Sequence, residues 1–357
     1  MRIGIITQPL ARNYGGILQN YALQQVLLRM GHTPITIDYL PVKERLRHLL
    51  SCLRHFRKPD KWFFARHRPQ FIKQFIRHHV AKTHRVNRYR AATVIRYRFD
   101  VLLAGSDQIW RPKYNKYLSD MYFLFAASLP VKKIVYGASF GTDECEYNSQ
   151  MVDFCHSLIH QIDAVSVREK SGVALCRHYF GIEAEWVLDP TLLLDVTDYE
   201  RICASIPNSY QEYLAVYLLD IDKQLVGNIE KISHTLNIPL RLFSADNDVS
   251  LSIEEWLVMF RDAKYIITDS FHGTIFSIIF NKPFISIGNY YRGMSRFFSL
   301  LGQFGLEDRL SPDISMEKLI CPIAWEKINR QKQVLKKHSI RFLETALQGK
   351  GTPKVTL

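Results

Sequence analysis

The sequence predicts an α/β protein of two doubly wound parallel-sheet domains that face a cleft. Short apolar runs alternate with stretches of helical period in both halves of the chain, the pattern of parallel strands joined by crossover helices. At 357 residues, 47% of them hydrophobic, the chain suits two ordinary cores better than one very large one. The rhythm pauses between Pro190 and Pro207, and this pause divides it into two domains.

Arg2 to Thr7 is an apolar run closed by a turn, Gly15 to Met30 carries apolar residues at helical spacing, and Thr33 to Tyr39 alternates apolar and polar residues. Strand, helix and strand in that order begin a βαβ unit. Strands resume at Asp100–Ser106, Lys133–Phe140, Ala164–Val167 and Glu185–Leu188, with helical stretches between several of them. The second half runs strand Tyr213–Leu219, helix Lys223–Asn237, strand Leu240–Ser244, helix Ile253–Ala263, strand Tyr265–Thr268, helix Thr274–Phe280 and strand Pro283–Ile287. A last helix, Trp325–Leu347, is expected to pack back across the junction. The domains are thus drawn at residues 1–190, with a basic helical insertion at 43–98, and at 191–322, followed by a helix and tail at 323–357.

The net charge of +13 is local, because residues 43–98 hold 17 Lys and Arg against 2 acids and the rest of the chain holds 30 basic and 32 acidic residues. Within the insertion Leu46, Leu49, Leu50, Leu53 and Phe56 mark one helical face, and Phe71, Ile72, Phe75 and Ile76 mark another after Pro69. Such a segment is either a solvated insertion packed by its Leu and Phe residues or a peripheral contact with an anionic membrane surface. Nucleic acid is not expected, since the apolar faces are interleaved and no known reading helix is present.

No apolar run approaches the roughly 18 residues that span a bilayer, and Met1 to Thr7 lacks the regions of a secretory leader. The expectation is a cytoplasmic protein, peripheral to a membrane at most. Cys52, Cys145, Cys155, Cys176, Cys203 and Cys321 form no C-x-x-C pair and read as buried thiols, so neither a metal nor a resident cofactor is expected.

Ligands of open α/β sheets bind beyond the carboxyl ends of the strands, and four places carry polar residues there. Thr268-Asp269-Ser270-Phe271-His272-Gly273-Thr274 leads from a strand through a tight turn into an apolar helix. Its free N–H groups favour a phosphate, and His272 is placed to donate a proton. The same spacing also fits a simple cap by Asp269 or Ser270 beside a surface histidine. Arg168, in Ser166-Val167-Arg168-Glu169, offers a planar fork to a carboxylate or phosphate, or an ordinary surface ion pair with Glu169. Arg292 and Arg296 follow the strand Pro283–Ile287 and share one face if that segment is helical. Asp107, in Gly105-Ser106-Asp107-Gln108-Ile109-Trp110, stands at a strand tip, either to orient or deprotonate a hydroxyl or to cap the next segment. Asn13-Tyr14-Gly15-Gly16 opens the first helix with small residues but lacks the dinucleotide-binding fingerprint.

Together, N-Y-G-G-x-L-Q-N-Y-A-L from Asn13 to Leu23, G-S-D-Q-I-W from Gly105 to Trp110, S-V-R-E from Ser166 to Glu169, L-D-P-T from Leu188 to Thr191 and T-D-S-F-H-G-T from Thr268 to Thr274 resemble the polysaccharide pyruvyl transferase family in order and spacing. The resemblance implies two Rossmann-like domains, similar to those of two-domain glycosyltransferases, with residues 1–190 on the acceptor side and 191–322 on the donor side. It implies transfer of pyruvate from phosphoenolpyruvate, as a ketal, onto a sugar of a capsule or exopolysaccharide or of its lipid-linked precursor. Donor binding would fall to Arg168, Ser270, His272, Gly273, Thr274, Arg292 and Arg296. Catalysis would fall to His272 and Asp107, and acceptor binding to Asn13, Tyr14 and Gln108. Ser270 stands where several family members carry arginine, so Arg292 or Arg296 is the expected replacement cation. A nucleotide-sugar glycosyltransferase would use the same paired-domain cleft, and a non-catalytic glycan-binding protein would bind acceptor without releasing phosphate.

Overall fold

The computed structural model describes residues 1–11, 13–40, 70–115, 117–244, 251–289, 292–312 and 314–349. Its first half contains β1 (Arg2–Ile6), α1 (Tyr14–Arg29), β2 (Thr33–Thr36), α2 (70–79), α3 (Ala91–Tyr97), β3 (Val101–Gly105), β4 (Lys132–Ala138), α4 (Ser149–Ile159), β5 (Ala164–Val167), α5 (Lys170–Phe180) and β6 (Glu185–Trp186). The strands form one sheet in the order β2-β1-β3-β4-β5-β6, every neighbouring pair parallel. The second half contains α6 (Val196–Ile202), β7 (Leu214–Tyr217), α7 (Lys223–Leu236), β8 (Leu240–Phe243), α8 (Ile253–Arg261), β9 (Tyr265–Thr268), α9 (Phe271–Ile279), β10 (Phe284–Ser286), α10 (Ser295–Phe304), α11 (Met316–Ile320) and α12 (Trp325–Gln348). Its sheet runs β10-β9-β7-β8, again parallel throughout.

In each sheet the chain steps outward on one side and then returns to the other, so the order reverses between β1 and β3 and between β7 and β9. These reversals open crevices at the carboxyl ends of the strands, where α/β proteins bind ligands. One apolar core joins the two halves: Ile17 and Leu18 of α1 cluster with Leu192 and Leu193, with Tyr199 of α6, and with Trp256 and Phe276 of α8 and α9. Separate cores cover the outer faces of the first and second sheets.

The stretch expected to join the halves is itself packed, with Leu192, Leu193 and Leu194 buried, because three consecutive leucines have more to lose in water than a linker tolerates. Helix α12 returns to the first sheet: Ser339 Oγ accepts the Leu188 N–H at 2.9 Å, and Phe342 lies 6.2 Å, centre to centre, from Tyr136. Helix α2 buries Ile72, Phe75 and Ile76 while Phe71 stays exposed; the expected helix through Leu46 to Phe56 lies outside the described residues. Cys155, Cys176 and Cys203 are buried, but Cys145 is half-buried and Cys321 exposed, in the turn that ends α11, so burial does not hold for every thiol; Cys52 lies outside the described residues. No helix of the described residues is long and apolar enough to cross a membrane.

Candidate active site

The crevice between β1 and β3 is closed by a side-chain contact, Asn13 Nδ2 donating to Asp107 Oδ2 at 3.0 Å. Asn13 is the N-cap of α1, yet its side chain makes no capping bond and is directed to Asp107 instead. Ser106 and Asp107 both have positive φ, 32° and 63°, a left-handed backbone that non-glycine residues adopt chiefly where the surroundings enforce it. That turn brings Asp107 back over the sheet, where it is buried.

Asp107 Oδ1 accepts from Arg168 Nη2 at 3.1 Å, and Arg168 also holds Asp189 at 2.5 Å and Glu169 at 3.3 Å. Its side chain is 1% exposed, so the surface ion pair weighed from the sequence is a buried network, with the fork occupied by three carboxylates. Burial opposes the charge on Arg168, but Asp189, Asp107 and Glu169 outweigh it and raise its pKa further. Burial likewise pushes Asp107 and Asp189 up, and the charge of Arg168 leads the effects that more than offset this, leaving both below the ordinary carboxylate range. Glu169 goes the other way: burial dominates and raises it, and its Oε2 has no hydrogen-bond partner.

From the second sheet, the turn after β9 delivers the other half of the site. Ser270 is the N-cap of α9, its Oγ accepting the Gly273 N–H at 3.3 Å, while Asp269 accepts from the Leu219 and Asp220 N–H groups across the crevice between β7 and β9. Burial raises Asp269 to about 6. The amides of Phe271 and His272, in the first turn of α9, bond to no described residue, which leaves donors aimed out of the helix start. Gly273 permits the turn, since a Cβ there would stand 2.3 Å from Thr268 Oγ1. Thr274 Oγ1 is engaged internally, with Ser270 O at 3.1 Å and Ser286 Oγ at 2.8 Å.

His272 is buried rather than at the surface, because α1 packs on it: a Cβ on Gly15 would stand 2.0 Å from His272 Nδ1. Its Nε2 has no hydrogen-bond partner among the described residues and lies 3.9 Å from Asp189. Burial lowers its pKa against the pull of Asp189 and Asp107, so the imidazole rests neutral.

Arg292 and Arg296 do not share a helical face, since α10 starts only at Ser295 and Arg292 belongs to the loop before it. Arg292 reaches Asp220 at 3.1 Å. Arg296 is buried, with one bond from Nη2 to the Arg292 carbonyl at 2.7 Å, an unpartnered Nε, and no carboxylate of the described residues at ion-pair distance. Burial, with Arg168 adding to the effect, lowers its pKa to about 10, so it remains charged at neutral pH. Phe271 separates the two cations, its ring centre 4.6 Å from the Arg168 guanidinium carbon and 5.2 Å from that of Arg296.

The two halves also touch at their rims. Gly293, at φ 100°, presses on the Gly141 carbonyl so closely that no Cβ fits, and Arg111, paired with Glu146 at 2.8 Å, donates to the Arg292 carbonyl at 3.1 Å. Gln108 sits beneath this contact, its Oε1 accepting from Arg111 at 3.1 Å. Tyr14 lies in the shared core, its ring 5.6 Å from Trp256 and its hydroxyl donating to the Leu251 carbonyl at 2.6 Å. The sequence brought Asp189, Glu169 and Phe271 into its motifs without giving them a role. For Asp189 the signal was the L-D-P-T run just past a strand end.

The profile of the polysaccharide pyruvyl transferase family matches residues 13–290, which include every motif of this cleft. No curated protein matches the chain by sequence. Among solved structures the chain is similar to the UDP-GlcNAc 2-epimerase of Methanocaldococcus jannaschii, at 11% identity over 98% of this chain and 100% of the other, with a TM-score of 0.55. It is also similar to the UDP-GlcNAc 2-epimerase of Neisseria meningitidis bound to UDP-GlcNAc, at 8% identity over 98% and 95%, with a TM-score of 0.51. At this identity the likeness establishes the fold: two sheet domains in the arrangement expected of two-domain glycosyltransferases.

Proposed function

Because the chain belongs to the polysaccharide pyruvyl transferase family, we propose that it moves pyruvate from phosphoenolpyruvate onto a sugar of a surface polysaccharide or its lipid-linked precursor. The observation that carries the donor reading is Arg296, a buried cation without a counter-ion among the described residues, beside an unpartnered His272 Nε2 and a helix start with two open amides. A buried charge is costly until paired, and a ligand with a carboxylate and a phosphate a few bonds apart supplies what this pocket lacks. Arg296 thereby takes the place of the arginine that relatives carry at Ser270.

In the proposed reaction one acceptor hydroxyl adds to C2 of phosphoenolpyruvate while a proton enters at C3, making the methyl group. A second hydroxyl then displaces phosphate from C2 and closes the ketal; one of the two hydroxyl protons balances C3 and the other leaves with phosphate. His272, neutral at rest, takes up a proton as the anionic donor binds and delivers it to C3 or to the departing phosphate. Asp107, ionised and bonded through both oxygens, orients a hydroxyl rather than deprotonating one, with Asn13 and Gln108 beside it. Arg168 positions Asp107 and Asp189. Thr274 and Tyr14 act through packing.

The test is incubation with phosphoenolpyruvate and galactosyl, mannosyl and glucosyl acceptors. An acceptor should gain the mass of pyruvic acid less water, with one phosphate released per gain. In parallel, phosphoenolpyruvate should raise the melting temperature. Protection by a nucleotide sugar instead, with no mass gain, would favour a glycosyltransferase.

A further inference from the structure

A second cavity, of about 460 Å³, opens at the edge of the first sheet and shares no residue with the site above. Its walls come from Leu40 and from the segment C-terminal to α2, α3 included. Thr36 pairs with Lys82 and Tyr39 with Val86 in parallel bridges, so residues 82–86 extend the sheet beyond β2, and the residues just after Val86 lie past its carboxyl end. Residues near Asn87 to Arg90 are on the side where Asn13 and Asp107 stand, and α3 then carries Arg96 back toward the amino end of β3. Tyr89, in the same segment, donates its hydroxyl to the Thr7 carbonyl at 3.0 Å, just past β1.

Arg85, Arg88, Arg90, Arg96 and His84 line the cavity, and among the described residues no Asp or Glu does. Two acids reach part of this charge: Asp38 holds Lys82 at 2.6 Å and Arg85 at 3.4 Å, and the half-buried Asp120 feels Arg88. No described residue pairs with the side chains of Arg90 or Arg96. Guanidinium groups gathered around one hollow with fewer counter-charges than cations repel one another, and the field they create concentrates anions. A lone carboxylate would neutralise little of that charge. Linked phosphates match it in charge and offer the paired oxygens that guanidinium forks grip.

We infer that this cavity binds a diphosphate group, the anionic end of the glycan acceptor, while the sugar it carries reaches Asp107. The link to the acceptor rests on the function proposed above; the affinity for diphosphate does not. Inorganic pyrophosphate titrated calorimetrically into the full chain tests it. Wild type and Arg296→Ala should bind pyrophosphate alike, and the double variant Arg90→Ser, Arg96→Ser should bind it about 100-fold more weakly, at about tenfold for each charge-assisted hydrogen bond removed. An unchanged melting temperature shows that the variant is folded, and Arg96→Ser alone, expected to bind about tenfold more weakly, serves if the double variant is not. Equal affinity in wild type and variants, or pyrophosphate displaced by phosphoenolpyruvate, overturns the assignment. Sedimentation with phosphatidylglycerol vesicles that depends on Arg90 and Arg96, without affinity for pyrophosphate, overturns it in favour of a membrane surface. Arginine-dependent pyrophosphate binding in a protein that transfers no pyruvate would keep the cavity assignment and remove the donor reading.

Discussion

Arg168 and Arg296 approach the same Phe271 ring from the two halves of the molecule, and both are buried, yet their surroundings are opposite. Arg168 is ringed by Asp107, Asp189 and Glu169, whereas Arg296 has, among the described residues, a single carbonyl and an unpartnered Nε. Residue type and burial therefore do not set the role of a buried cation; the number of counter-charges does. A saturated arginine holds the carboxylates that would otherwise repel one another, and an unsaturated one is incomplete until an anion arrives.

The largest test of this contrast is a pair of substitutions. Arg168→Met leaves buried carboxylates unpaired and should cost about 3–5 kcal/mol, read as a large fall in the urea midpoint. Arg296→Met removes a buried uncompensated charge and should leave stability unchanged or raise it, while the kcat/KM for phosphoenolpyruvate falls about 100-fold or more with the loss of charge-assisted bonds. Equal stability losses in the two variants, or an unchanged donor kcat/KM in the second, would erase the distinction.

The next test concerns the contact between the halves. Gly15→Ala places a methyl group on His272 Nδ1 and should cost about 1–3 kcal/mol through overpacking, with a fall in kcat as the imidazole shifts. Gly227→Ala in α7, where nothing stands within 4 Å of the new carbon, should instead gain about 0.5–1 kcal/mol and leave kcat alone. Matching responses at the two glycines would mean that the Gly15 contact is not decisive.

The smallest effect is in pH. Burial holds His272 below its ordinary value of 6.5, so as pH falls from there the unfolded chain binds a proton first. The stability this group contributes is present above 6.5 and is lost as pH falls through the lower folded value. Melting temperatures of wild type and His272→Gln should therefore differ less, or reverse in order, between pH 7 and pH 5. Asp269 runs in the opposite direction, from about 6, but is common to both proteins and cancels in the difference. Parallel curves would place His272 in a better hydrated site than its burial indicates.

Much of the fold was legible because each strand of the described sheets is a local pattern: RIGII, VLLAG and YIIT are apolar runs closed by polar turns. The site was legible as motifs at strand ends but not as a network. Arg168 and Asp189 are 21 residues apart and Arg168 and Asp107 are 61, and such pairings are set by which strands lie side by side, not by any spacing in the chain. The segment before α10 misled for a related reason, since a four-residue interval implies one face only where the backbone is helical throughout.

The sequence alone determined the two-domain α/β plan, the motif set of the pyruvyl transferase family and the local basic excess, because these depend on periodicity, composition and order. Only the tertiary structure decided which arginine is neutralised, that His272 is buried under Gly15, and that four arginines converge on one cavity that no acid of the described residues lines. Charge state and accessibility depend on neighbours in space, and sheet order chooses those neighbours after the strands themselves have been specified.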